Sequence, residues 1–159
     1  MKAFRVLGVS AVLFLLSSLL LPGCGKPQSC QYELTEGWHG YEVEGSNWVR
    51  WSAGRGKVKV SLVKESTATM TGAIISIHAA DQVDILVNGE KVKTWNLTKD
   101  KWEFKSFEPL QLALKQGDNI VEFVSQKGPL TNPTDPRPLA MAIKDLRLTV
   151  GNAACELKR

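Results

Sequence analysis

Most of the chain alternates between apolar and polar positions with a period of two, which is the pattern of a half-buried β-strand. In one such segment Val58, Val60 and Leu62 share one face, while lysine and serine occupy the other. Similar segments follow at 70–79, 83–87, 92–97, 110–114, 120–125 and 141–150. No ten-residue stretch after residue 24 has a helical period. The pattern predicts an all-β domain, an antiparallel β-sandwich or jelly roll of about eight strands.

Two interruptions of the alternation have a clear meaning. Asn88-Gly89 separates two alternating segments, and this dipeptide tolerates the positive φ angles of a type I′ turn, so it predicts a tight hairpin. The segment 127–138 contains four prolines, which cannot donate ladder hydrogen bonds. We therefore expect a loop or an edge crossing there.

The N-terminal segment has the layout of an export signal. Lys2 and Arg5 precede the apolar run Val6–Leu21, which is short for a membrane span of about 20 residues. Leu21-Pro22-Gly23-Cys24 then resembles the bacterial lipobox, in which the cysteine is acylated and becomes the mature N-terminus. An ordinary signal peptide with a chance cysteine is the alternative.

This resemblance predicts the domain organisation and the location of the protein. Residues 1–23 are a lipoprotein signal peptide, 24–36 a lipid-anchored tether and 37–155 the β-sandwich. We expect an exported lipoprotein, held in the membrane by a lipid such as palmitate on Cys24. Gly25 follows the cysteine where an aspartate would favour the inner membrane, so the outer membrane is favoured if the organism has one.

Composition excludes a nucleic-acid partner and favours a disulfide. Residues 24–159 keep all sixteen acidic and eighteen of the twenty basic residues, so the formal net charge falls from +4 to +2 with no basic cluster. Cys30 and Cys155 bracket the domain, and export makes a disulfide between them the expected state. Two free thiols are the alternative. A metal site is less favoured, because only His39 and His78 could join the cysteines and neither has ligand spacing.

Two motifs resemble those of galactose-binding-like jelly-roll domains. They are Asp84-Ile85-Leu86-Val87-Asn88-Gly89 and the segment 110–123, LQLALKQGDNIVEF, in which Gly117 and Asn119 precede a strand. Arg50-Trp51-Ser52 and the segment 135–142, DPRPLAMA, are similar to the small β domains appended to some bacterial membrane glycosyltransferases. The resemblance implies a jelly-roll fold. It implies no catalysis, because the membrane bundle of those enzymes is missing from this sequence.

Aromatic side chains are the first candidates for ligand binding. The chain has five tryptophans, and exposed aromatic rings pack against the apolar faces of sugars. Trp38, Trp48 and Trp95 lie near turns or alternate with polar residues, so we expect them to be the exposed ones. Trp48 and Arg50 share one strand face. Burial of the tryptophans in the core or at its edge is the alternative.

Charged residues provide the remaining candidates. Arg137 could bind a carboxylate or a hydroxyl pair beside Asp135, or the two could form an internal pair that holds the proline-rich loop. Asp81, Asp84 and Asp118 could hold a structural Ca²⁺, but their spacing matches no compact loop, so no cofactor or metal is predicted. No nucleophile motif is present, and two isolated histidines make a weak acid–base pair.

The sequence thus predicts a non-catalytic protein of the cell envelope. The first hypothesis is a carbohydrate-binding-like module for envelope or extracellular polysaccharide. The second is a structural or assembly lipoprotein that binds a protein partner in a surface-glycan or export machine. A small hydrolase is the third, and it would need a pocket with converging titratable groups.

Overall fold

The computed structural model describes residues 30–44, 47–98 and 103–158 of the chain. Within these ranges the chain forms fourteen strands: β1 Cys30–Leu34, β2 Trp38–Glu44, β3 Asn47–Ser52, β4 Arg55–Leu62, β5 Ser66–Ser76, β6 Ala80–Val87, β7 Glu90–Thr98, β8 Lys105–Leu114, β9 Gly117–Ser125, β10 Leu130–Asn132, β11 Asp135–Leu139, β12 Met141–Val150, β13 Ala153–Ala154 and β14 Glu156–Lys158. No helix in the described ranges is long and apolar enough to cross a membrane.

Two sheets form a sandwich, as the alternation predicts. Sheet A has the strand order β14-β1-β4-β9-β6-β7, and sheet B has the order β2-β3-β12-β5-β8, with β13 added beside β12. Every adjacent pair is antiparallel except β1 and β14, which run parallel. A separate ribbon consists of β10 and β11. The strands are therefore more numerous than the expected eight, but the predicted β-sandwich is confirmed.

The core lies between the sheets and follows from the alternation. In β4, Val58, Val60 and Leu62 are buried and the residues between them are not. Phe123 of β9 and Met70 of β5 are among the largest fully buried side chains. Burying such side chains contributes about 1.5–3 kcal/mol each relative to leaving them in water. The inward-facing positions of both sheets thus provide the stability of the fold.

The two motifs of the jelly-roll resemblance contact each other. Asn88 and Gly89 have φ angles of 52° and 87°, so the predicted type I′ hairpin is confirmed. The side-chain amide of Asn88 donates to Asn119 Oδ1 at 3.0 Å, and its own oxygen accepts from the backbone N–H of Ile120. Asn119 is fully buried and also caps the turn at Lys115. Both motifs are therefore structural.

The predicted disulfide is confirmed, and it corrects the predicted tether. Cys30 and Cys155 are bonded, with their Cα atoms 4.6 Å apart. The bond joins the start of β1 to the residue before β14. Residues 30–34, which we expected within the tether 24–36, instead form a strand whose Cys30 and Tyr32 are buried. Polar residues alternate with these two inward-facing side chains, so the segment resembled a tether in the sequence. The fold therefore begins at least seven residues before residue 37.

The proline-rich segment also differs from its prediction. Instead of a loop, residues 130–132 and 135–139 form the two-stranded ribbon β10–β11. Pro133 lies in its turn, and the ribbon joins neither main sheet. An isolated ribbon has free edges, so it tolerates residues without a backbone donor.

Bulges reverse the alternation in two strands of sheet B, β12 and β8. The register of β12 against β5 shifts between Lys144 and Arg147, where Asp145 has a φ of 52°. The register of β8 against β5 also shifts near Gly72, so Phe107 packs on the core out of phase with Leu112. β5 keeps its phase: Met70 and Ile74 both face the main core, while Ile75 packs with Val49 and Ala142.

Several predictions lie outside the described residues. These are the signal peptide 1–23, the lipid on Cys24 and the part of the tether that covers residues 24–29. They stay predictions.

Candidate functional site

A cleft opens between the two sheets at the side where β1 and β14 face β2 and β3. Its volume is about 420 Å³, which is within the range of small-ligand sites. We call it the seam cleft, and its lining residues are Tyr32, Leu34, Tyr41, Trp48, Arg50, Ile143, Lys144, Asp145, Leu146, Arg147 and Leu157. Both sheets and the bulge of β12 therefore contribute to one concave surface.

Exposed aromatic rings form one wall of the seam cleft. Trp48 is 52% exposed and Tyr41 is 36% exposed. Their ring centroids lie 5.9 Å apart, and the ring planes are nearly perpendicular at 87°. Both residues lie on one face of sheet B, because Tyr41 pairs with Arg50 and Val43 pairs with Trp48 across the β2–β3 ladder. That face is the inner one, since it lines the cleft opposite Tyr32 of sheet A. The edge of the sandwich thus presents exposed aromatic surface to the cleft.

Arg50 extends this wall with a cation. Its guanidinium carbon lies 4.3 Å from the centre of the Tyr41 ring, a cation–π contact. Its Nε is buried and has no hydrogen-bond partner among the described residues. An unpaired buried donor is uncommon in folded proteins and calls for a specific explanation.

Tyr32 fixes the opposite wall. Its hydroxyl donates to the backbone oxygen of Leu146 at 2.7 Å, which ties β1 of sheet A to the bulge of β12 in sheet B. Burial raises the pKa of Tyr32, and the nearby Tyr41 raises it further, while Arg147 lowers it. The phenol is therefore neutral at physiological pH. Leu34 and Leu157 make the rest of this wall apolar.

The charges of the seam cleft are mainly positive. Arg50, Lys144 and Arg147 line it, against a single carboxylate, Asp145. Asp145 and Arg147 are exposed at the bulge, where the positive φ of Asp145 turns the strand. Positive charge beside aromatic surface suits a ligand that has apolar faces and anionic or hydroxyl groups.

Of the predicted tryptophans, only Trp48 lines the seam cleft. Trp38 and Trp95 are half-buried, so the expectation that they are exposed was wrong. Trp38 packs on Phe123 at 5.8 Å and donates its indole N–H to the Lys57 carbonyl at 2.9 Å. It lies over Gly56, where an added Cβ would come within 2.3 Å of the ring. Trp95 stacks on Phe107 at 4.3 Å. A ligand-binding role for either ring stays a prediction.

Asp135 and Arg137 lie in the ribbon and do not line the seam cleft. The Arg137 Nε and Nη2 donate to Asp135 at 2.9 and 2.6 Å, and Nη1 forms an ion pair with Glu42 of β2. These hydrogen bonds from Arg137 hold the pKa of Asp135 at about 2. The internal pair that we considered is therefore present and holds the ribbon to the edge strand. Ligand binding at these two residues stays a prediction.

The remaining titratable candidates have separate partners. Asp81 accepts from Ser76 and Ser125, whereas Asp118 accepts from Ser61 and pairs with Lys59. Each histidine donates to a backbone carbonyl, His39 to Pro138 and His78 to Gly128. Within residues 30–44, 47–98 and 103–158, no three His, Cys, Asp or Glu side chains are close enough to hold a metal ion.

Sequence reasoning missed most of the seam cleft. The shared strand face of Trp48 and Arg50 was visible in the alternation, and it was the one available signal. Tyr41 joins that face through the β2–β3 hairpin. Tyr32 and Leu157 come to lie opposite it only through long-range pairing of strands, which local pattern does not reveal.

Comparisons with known proteins find similar solved structures but no sequence family. No protein-family model matches the chain, and no curated protein matches it. A family 35 carbohydrate-binding module from an environmental isolate is 19% identical, with 76% of this chain and 81% of that chain covered and a TM-score of 0.45. A family 35 module from Clostridium thermocellum is 15% identical, with 74% of this chain and 89% of that chain covered and a TM-score of 0.42. A family 35 module from Cellvibrio japonicus is 16% identical, with 79% of this chain and 99% of that chain covered and a TM-score of 0.42. With identities and TM-scores this low, the likenesses are not evidence of a shared ligand.

Proposed function

We propose that the protein is a lipid-anchored, non-catalytic glycan-binding protein of the cell envelope, and that the seam cleft is its binding site. The observation that carries the proposal is the wall formed by Trp48, Tyr41 and Arg50. Sugar rings have apolar C–H faces that pack on aromatic rings, and their hydroxyl groups need hydrogen-bond donors beside those rings. A polar ligand that lets the Arg50 guanidinium shift would also satisfy its buried Nε.

The charge of the cleft makes the proposal more specific. Three cations and one carboxylate line it. Carboxylate or sulfate groups on a glycan would pair with Arg50 and Arg147, whose planar forks bind such groups with two hydrogen bonds. The favoured ligand is therefore an acidic envelope or extracellular polysaccharide.

The same lining supports a binding role over hydrolysis. Most glycoside hydrolases use two carboxyl groups, one on either side of the scissile bond. Asp145 is the single carboxylate among the lining residues of the seam cleft, and no histidine or cysteine accompanies it. The arrangement can hold a sugar but has no acid–base pair.

Export and anchoring rest on the N-terminal sequence. The lipobox-like Leu21-Pro22-Gly23-Cys24 and the disulfide between Cys30 and Cys155 both suit an oxidising compartment outside the cytoplasm. Labelling of the full chain with a palmitate analogue, lost in Cys24→Ala, tests the anchor. Retained labelling in that variant contradicts it.

Binding is tested with residues 26–159 produced in an oxidising compartment. Titration with alginate, polygalacturonate, hyaluronan, cellulose oligosaccharides and mannan is followed by tryptophan fluorescence and calorimetry. We expect saturable binding of an acidic polysaccharide, lost in Trp48→Ala and partly retained in Trp48→Phe. Val92→Ala, an exposed site on β7, is the matched control and should bind normally. Absence of binding to every probe by the folded protein contradicts the proposal.

One observation favours a protein partner as the second candidate. β2 is an edge strand of sheet B, and Val43 on it is 63% exposed beside Tyr41. An edge strand with exposed apolar residues can accept a strand from another protein. This function predicts that Val43→Lys abolishes capture of an envelope partner, whereas Trp48→Ala, which removes the aromatic wall of the seam cleft, leaves the capture unchanged.

A further inference from the structure

We propose that the glycan site continues from the seam cleft over the bulge of β12 into a second groove on the outer face of sheet B, so that the protein binds an internal stretch of an extended chain. This inference rests on the proposed function. The second groove, which we call the outer groove, has a volume of about 460 Å³. Its lining residues are Thr71, Gly72, Ala73, Phe104, Ser106, Phe107, Lys144, Asp145 and Arg147.

The two cavities meet at the bulge. Lys144, Asp145 and Arg147 line both of them. β12 pairs with β3 only from Met141 to Lys144, and β13 pairs with β12 only from Thr149 onward. On that side, the intervening part of β12 has no strand partner among the described residues. The seam cleft and the outer groove meet at this gap in sheet B.

The outer groove is concave because a glycine lies at its base. A Cβ at Gly72 would lie 3.0 Å from Phe107 Cζ and 3.2 Å from the Lys144 carbonyl oxygen, so a side chain there would need the floor of the groove to shift. The register of β5 against β8 shifts at the same position. Glycine within a strand often marks such a bulge or a close approach of another group.

The side chains of the outer groove match those of the seam cleft in kind. Phe104 provides an aromatic ring, and the Lys144 ammonium lies 4.7 Å from its centre. Thr71 and Ser106 add hydroxyl groups. Each cavity therefore has an aromatic surface, and the two share the cations Lys144 and Arg147. An anionic chain that crosses β12 at Asp145 would meet these cations at the crossing point.

A chain-length series tests the continuous site. The probes are oligogalacturonates of two, four, six and eight residues, with cello-oligosaccharides of equal length as neutral probes. Ser106→Trp fills the outer groove from an exposed position and leaves the seam cleft unchanged. Ala113→Trp lies on the same strand and face outside the groove, so it is the matched control. Calorimetry gives the affinity of each variant for each length.

For the unmodified protein and for Ala113→Trp, we expect the octamer to bind at least about tenfold more tightly than the dimer. Ser106→Trp should bind the dimer normally and lose most of this gain. A single short site would still gain a few-fold from the larger number of binding registers, so an equal gain in Ser106→Trp overturns the continuous site. Normal dimer affinity in that case leaves the proposed function intact. If no probe of any length binds, the proposed function fails and the inference fails with it.

Discussion

The two sides of the sandwich use aromatic residues in opposite ways. At the β7–β8 side, Trp95 and Phe107 stack at 4.3 Å with an interplanar angle of 22°, and both pack against the core. At the β1–β2 side, Tyr41 and Trp48 meet edge to face and line the seam cleft, where Trp48 is half exposed. The first seam uses its aromatic surface to join the sheets, whereas the second leaves that surface open.

The open side is held by other means. The Cys30–Cys155 disulfide joins β1 to β14, and the Tyr32 hydroxyl joins β1 to the bulge of β12. On sheet B, Arg137 joins the ribbon to Glu42 of the edge strand. A sandwich can thus keep one seam unfilled if covalent and polar links replace the missing apolar packing. The molecule thus separates a filled seam, which stabilises the fold, from an open seam, which is the proposed binding site.

The largest loss of unfolding free energy should come from removing the disulfide of the open side. Cys30→Ser/Cys155→Ser releases a loop that spans 125 residues, and in the chain-entropy model this costs about 4–5 kcal/mol of unfolding free energy, less if the unfolded chain stays compact. Denaturant unfolding measures the loss. Amide exchange should accelerate first at β14, whose three residues pair only with β1 in the described structure.

The oxidised protein treated with reductant should reproduce the double variant. Exchange that accelerates equally at β7 and β14 would show that the disulfide stabilises the whole sandwich and not the open side in particular.

The next largest loss of unfolding free energy should come from replacing a tryptophan of each seam by alanine. Trp95→Ala removes the stacked ring of the filled seam and should cost about 2–3 kcal/mol, below the about 3–5 kcal/mol of a fully buried aromatic, because Trp95 is half-buried. Trp48→Ala should cost no more than about 1 kcal/mol, since its ring is largely exposed. Chemical denaturation of both variants gives these values. Similar losses for the two would remove the contrast between the seams.

The architecture was largely predictable and the site was not, for one physical reason. Alternation is local, so it reveals which residues of β4 or β9 face inward, and the Asn88-Gly89 turn is local as well. Which strand lies opposite another is a long-range property. Trp38 and Trp95 alternate with polar residues much as Trp48 does, but Gly56 provides space for one ring and Phe107 covers the other. The bulge at Asp145 also reverses the phase within β12, which hid the contributions of Lys144 and Arg147.

The smallest effect on stability should come from the pair of Asp135 and Arg137, which belongs to the polar link of the open side. The pKa of Asp135 is about 2, below its ordinary value of 3.8, because Arg137 donates hydrogen bonds to its charged form. A carboxyl group whose pKa is lower in the folded state binds fewer protons there than in the unfolded chain. Its contribution is therefore complete above pH 3.8 and is lost as the pH falls through about 2.

Removal of the guanidinium should show this directly. In Arg137→Gln the pKa of Asp135 should rise towards 3.8, which carboxyl chemical shifts in an NMR titration measure. Asp118, which pairs with Lys59 on sheet A, is the internal control and should titrate unchanged. A pKa of Asp135 that stays near 2 in the variant would mean that Arg137 does not set it. The ribbon would then need another link to β2, and the open seam would lose one of its three proposed supports.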